Sequence, residues 1–135
     1  MGVWLYTPVL KPRGDRMIKR ASEMKVDVHH EFLGGKGTLT NVNFLDKENA
    51  AGAGRLFAKS ILPPGSSIGY HTHKGDFENY YILKGKALVN DNGVEYTLEA
   101  GDAILTKNGS SHSIENIGDT DLEYIALILY DKENV

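Results

Sequence analysis

Residues 65–85 read GSSIGYHTHKGDFENYYILKG. In an extended strand alternate side chains share a face, so His71 and His73 converge. Lys74, Gly75 and Asp76 form a turn that folds the next apolar stretch back, bringing Glu78 to the same face. Two imidazoles and a carboxylate meeting there suit a divalent transition metal. A further imidazole, His112, is available later in the chain.

Around this segment, apolar runs of a few residues alternate with Gly, Pro, Asn and Asp clusters, a pattern that predicts an all-β chain. We expect strands over 26–32, 37–44, 55–62, 67–73, 78–83, 86–90, 94–98, 103–106, 112–116 and 122–130. Asp91, Asn92 and Gly93 predict a type I′ hairpin turn, and Pro64-Gly65 a type II turn. Only a short helical turn is expected, between Arg16 and Val28. Ten short strands with tight reversals predict a sandwich or barrel. The segment 122–130 is apolar on both parities, with Leu122, Tyr124, Ala126 and Ile128 on one face and Ile125, Leu127 and Leu129 on the other. Such a strand needs cover on both sides, from a homodimer partner or from an N-terminal segment carrying Trp4 and Leu5.

The chain of 135 residues suits one domain with its own core. Fifteen basic residues against eighteen acidic give a net charge of −3, without a basic cluster, so nucleic acid is not an expected partner. The absence of cysteine excludes disulfides, thiolate metal sites and a cysteine nucleophile. The N-terminus lacks a basic region before its apolar run, and nothing approaches the length of a membrane span, so a cytoplasmic protein without a membrane partner is expected. Met17 is a candidate natural start, with residues 1–16 an upstream extension.

With these residues in view, the sequence resembles the cupin superfamily. The first motif of that family is a Gly, His-x-His, Glu and Gly series, matched by Gly65, His71, His73, Glu78 and Gly85. The second is matched by Gly101, Gly109, His112 and Asn116, with Lys107 where the family usually has proline. The resemblance implies an all-β fold, a double-stranded β-helix or jelly-roll barrel, over 26–135, preceded by an irregular extension over 1–25. It implies one divalent metal held by His71, His73, Glu78 and His112. Lysine at position 107 loosens a turn, because it does not fix φ as proline does, but costs no ligand.

Three imidazoles and one carboxylate leave two octahedral positions for water or a bidentate ligand. Mn²⁺, Fe²⁺, Co²⁺, Ni²⁺ and Zn²⁺ all suit this donor set. The family includes isomerases, lyases, decarboxylases and dioxygenases as well as non-catalytic binding and storage proteins, so turnover stays open. A small carboxylate or sugar-derived ligand is expected. Tyr80 shares parity with Glu78 and is the candidate proton donor, set against the commoner fate of a plain core tyrosine. Asn116 reads as a turn cap. Arg55 and Lys59 share one strand face; turned inward they would wall an anion site, but an outward, solvated face is the commoner arrangement. His29 and His30 are adjacent, point opposite ways and do not read as a second metal pair.

Overall fold

The computed structural model describes residues 17–132, so the expectations for residues 1–16, including cover by Trp4 and Leu5, lie outside the described residues. A 3₁₀ turn over Ala21–Glu23 precedes β1 (Lys25–His30). There follow β2 (Thr38–Asn43), β3 (Gly54–Leu62), β4 (Ser67–Thr72), β5 (Asp76–Lys84) and β6 (Lys86–Asp91). The chain continues through β7 (Val94–Glu99), β8 (Ala103–Thr106), β9 (Ser111–Asn116) and β10 (Leu122–Tyr130). Every expected strand is present, with ends displaced by at most two residues.

Two antiparallel sheets face each other. One runs β1-β2-β3-β10-β5-β8 and the other β4-β9-β6-β7. This is the all-β, double-stranded β-helix expected. The β6–β7 hairpin closes on Asp91↔Val94, and Asn92 and Gly93 take φ of 51° and 96°, the positive pair a type I′ turn requires. Asn116 caps a turn as expected: its Nδ2 donates to Leu62 O at 2.7 Å and Thr120 O at 2.8 Å, and its Oδ1 accepts from Gly118 N at 2.8 Å.

The inward-facing residues of both sheets divide the interior into two ends. At one end Leu62, Ile82, Ala87, Val89, Ile114 and Leu122 are almost wholly buried and close the barrel. Each large aliphatic side chain there contributes roughly 1.5–3 kcal/mol by leaving water. Moving along the same strands, Ile82 gives way to Tyr80 and Glu78 on β5, and Ile114 to His112 on β9. The polar end is therefore built on strands that the apolar end holds in register.

Two local devices shape the polar end. Gly69 lies so close to the backbone of the β1–β2 connection that a Cβ would overlap the Leu33 carbonyl. Within that connection Glu31 and Leu33 adopt left-handed φ of 47° and 54°, which brings Phe32 and Leu33 against the opening. Among the described residues no helix is long and apolar enough to cross a membrane.

Candidate metal centre

His71 pairs across the small sheet directly with His112 (Thr72 with Ser111), and Ile68 pairs with Ile114. Two residues on β4, Gly69 and Tyr70, thus stand against one on β9, Ser113, and this bulge lets Ile68 and His71 both face inward. His73 follows on the same parity. From the large sheet, β5 turns in Asp76, Glu78 and Tyr80.

The four expected ligand side chains come together. Donor atoms of His71, His73, Glu78 and His112 all lie within 4.8 Å of one another. His112 Nε2 is 3.0 Å from His71 Nε2, 3.1 Å from His73 Nε2 and 3.1 Å from Glu78 Oε1. His73 Nε2 is 3.2 Å from the same carboxylate oxygen. Ligand atoms about 2.1 Å from a metal ion and at right angles to one another sit about 3.0 Å apart, so this spacing fits a coordination shell.

The outer nitrogens are all committed. His71 Nδ1 lies 2.7 Å from Gly69 O, and His73 Nδ1 lies 2.7 Å from Asp76 Oδ1. A carbonyl and a carboxylate can only accept, so both imidazoles carry their proton on Nδ1 when neutral. Their Nε2 lone pairs then carry no hydrogen and both face His112 Nε2, and that of His73 also faces Glu78. His112 Nδ1 is 2.7 Å from Thr106 Oγ1, a hydroxyl that can donate or accept and so serves either tautomer of this imidazole. With the imidazoles neutral, at most one hydrogen, on His112 Nε2, is available to the buried acceptors His71 Nε2, His73 Nε2 and Glu78, so a cation or an extra proton among them is stabilising.

The electrostatics follow from that crowding. Burial would raise the Glu78 carboxyl, but hydrogen bonds with His112 and His73 outweigh it and hold the group at about 2. The hydrogen bond to Glu78, reinforced by Asp76, raises His73 despite its burial. His71, turned toward the opening, is lowered chiefly by desolvation.

Tyr80 is in the wall beside this cluster, its ring stacked on His112 with centroids 5.1 Å apart. Burial, then the charge on Glu78, pushes its phenol well above the usual range, so it stays a neutral hydroxyl. Burial likewise raises Tyr124, whose ring meets Tyr80 edge-on at 4.7 Å.

A cavity of about 290 Å³ opens from the cluster along the inner face of the large sheet. Arg55 lies in its wall, whereas Lys59 does not and instead pairs with Glu123 at 3.5 Å. Gly54 pairs with Leu129 and Leu56 with Ile128, so Arg55 is the extra residue of a second bulge. That bulge re-aims a side chain which alternation alone would send outward. Arg55 Nε donates to Asp76 Oδ2 at 2.8 Å, completing a chain Arg55–Asp76–His73.

Sequence reasoning did not find Asp76 or Thr106, although the His73-to-Asp76 spacing across a turn was a usable signal. It also set aside His29, which lies in the cavity wall and packs on Phe32 with ring centroids 4.7 Å apart. His30 is exposed on the other side of β1, so the two do not share a site.

Comparison with known proteins agrees with this architecture. The Cupin domain family profile matches residues 58–128. The oxalate-binding protein of Thermotoga maritima is 47% identical over 116 residues, spanning 86% of this chain and 96% of that protein. A crystal structure of a predicted oxalate decarboxylase from Thermotoga maritima superposes with a TM-score of 0.80 at 46% identity, covering 84% of this chain and 99% of that one. A polyketide cyclase from Streptomyces resistomycificus, 18% identical, shares the fold with a TM-score of 0.66 over 84% of this chain and 80% of its own. Two sheets, a barrel with one polar end and a profile match over more than half of its length make this chain a member of the cupin family.

Proposed function

We propose that this protein binds one divalent transition metal through His71, His73, Glu78 and His112, and through it a small carboxylate, with oxalate as the first candidate. The observation that carries the reading is the convergence of the Nε2 atoms on Glu78 while Gly69, Asp76 and Thr106 occupy the outer nitrogens. Mn²⁺, Fe²⁺, Co²⁺, Ni²⁺ and Zn²⁺ all match three imidazoles with a carboxylate. When bound, such an ion polarises a ligated carboxylate or carbonyl oxygen.

The protein's own groups define the rest. Arg55 brings positive charge to the wall and is anchored by Asp76, which favours an anionic ligand. Tyr80 presents a neutral hydroxyl, suited to donating a hydrogen bond rather than a proton, because its phenol is raised. The similarity to an oxalate-binding protein supports oxalate as the first anion to try.

The test is calorimetric. Protein stripped with chelator and reloaded with Mn²⁺ or Zn²⁺ should bind one ion per chain, then oxalate only in the loaded form. Absence of both events overturns the reading. Release of formate and carbon dioxide from bound oxalate would move the protein from binder to decarboxylase. We also propose that it is a homodimer, covering the outer face of β3, β10 and β5, where Phe57 and Tyr81 are exposed. Light scattering should give twice the chain mass.

A further inference from the structure

The cavity is larger than oxalate needs and its far side is polar. Its roughly 290 Å³ correspond to the liquid share of about ten waters. Oxalate displaces roughly three on that scale. Sheet register places Tyr124, Ser60, Asn41 and Asp27 in one row across β10, β3, β2 and β1, and all four line the cavity.

The hydrogen-bonding capacity of this row is only partly used. Ser60 Oγ donates to Asn41 Oδ1 at 2.6 Å, and both side chains are buried. The other end of that amide, Nδ2, has no partner among the described residues. The Tyr124 hydroxyl is fully buried and meets no partner in bonding geometry among the described residues, although the Ser60 and Tyr80 hydroxyls lie near it. A buried donor left unpaired costs free energy, and native interiors rarely keep one without a reason. Two unspent donors in one cavity wall fit a ligand oxygen.

The row carries no cation and ends at Asp27, whose carboxylate is bonded by Asn43 Nδ2 at 2.9 Å. A second carboxylate would be repelled there, whereas a hydroxyl, which both donates and accepts, fits both Asp27 and the free donors. Resting on the carboxylate-binding reading above, we infer that the ligand is a hydroxylated monocarboxylic acid longer than oxalate. Its carboxylate lies at the histidine cluster near Arg55, and its far hydroxyls lie on the Tyr124–Ser60–Asn41–Asp27 row. A chain of roughly four to six carbons fills the space oxalate leaves.

The experiment uses Mn²⁺-loaded full-length protein and calorimetry with oxalate, glycerate, threonate, gluconate and the unsubstituted acids butyrate and hexanoate. Threonate or gluconate should bind at least about ten-fold more tightly than oxalate, and more tightly than butyrate or hexanoate, consistent with two or more added hydrogen bonds. Tyr124→Phe removes only a hydroxyl that no described residue bonds, so the fold should hold, and the threonate-to-oxalate preference should fall about five-fold. Oxalate binding more tightly than every hydroxy acid overturns the inference while leaving the carboxylate reading intact. So does a preference that Tyr124→Phe leaves unchanged, which would mean the row holds water only. Metal loading without binding of any acid overturns the carboxylate reading, and this inference with it.

Discussion

Replacing Asp76 by asparagine tests whether the Arg55–Asp76–His73 chain acts on a metal or merely packs. Asp76 is 5% exposed, and its two oxygens are divided between His73 Nδ1 at 2.7 Å and Arg55 Nε at 2.8 Å. Asparagine keeps one oxygen, which can still accept from His73, but turns an NH₂ toward Arg55. Arg55 is half exposed and can turn to water, so the loss on that side is under about 1 kcal/mol. On the His73 side a charge-assisted bond becomes a neutral one, roughly half as strong. Partners of this kind govern metal affinity by about 10–100-fold. We therefore expect about ten-fold weaker Zn²⁺ or Mn²⁺ binding for Asp76→Asn, and close to 100-fold for Asp76→Ala, which removes the acceptor altogether.

The assay is competition against a chelator of known affinity, repeated at pH 6 and pH 8. Asp76 also helps hold a proton on His73, which the metal must displace. Without the carboxylate that proton is held less tightly, so the deficit of the variant should narrow at pH 6. A general folding defect would show no such pH dependence. Affinity within about two-fold of wild type at pH 8 for both variants would refute the reasoning.

Other outcomes follow from the same geometry. His112→Ala should lower metal affinity more than about 100-fold while the far-ultraviolet dichroism is retained, since the opposite end of the barrel holds the sheets; unchanged metal content would remove His112 from the ligand set. Metal affinity should rise with pH up to and beyond 6.5, because His73 is raised and must lose its proton, and an affinity flat between pH 5 and 8 would contradict this. Glu78 has the opposite sign: its folded value is depressed to about 2, so its contribution to stability is present above 4.5 and lost as pH falls toward 2, visible as a falling urea midpoint of metal-free protein. Gly69→Ala should destabilise the fold by about 1–3 kcal/mol, because its Cβ overlaps the Leu33 carbonyl, and a thermal midpoint equal to wild type would count against that contact.

Much of the architecture is local information. Strand positions follow from apolar runs, and reversals from residues such as Asn92 and Gly93, whose backbone preferences need no distant partner. The candidate ligand cluster was legible because His71, His73 and Glu78 sit within one hairpin. Asp76 and Thr106 were not, because their roles depend on which strands become neighbours. Asp76 belongs to β5 only because it pairs with Tyr130, and Thr106 reaches His112 because β8 docks beside Glu78. His29 joins the cavity wall only once β1 adds to the far edge of the large sheet.

Arg55 and His71 show what alternation leaves out. Counted from the buried Ile68, strict alternation sends His71 outward; counted from the buried Ala58, it sends Arg55 outward. Each is corrected by one residue that its strand has in excess of its partner, Gly69 or Tyr70 on β4 and Arg55 itself on β3. The His71–His73 pair converges from local geometry alone, but the bulge decides that it converges on the interior. Such an excess exists only relative to a partner strand distant in sequence, here β9 or β10. Register, rather than residue type, thus determines whether this histidine pair and this arginine belong to one cavity.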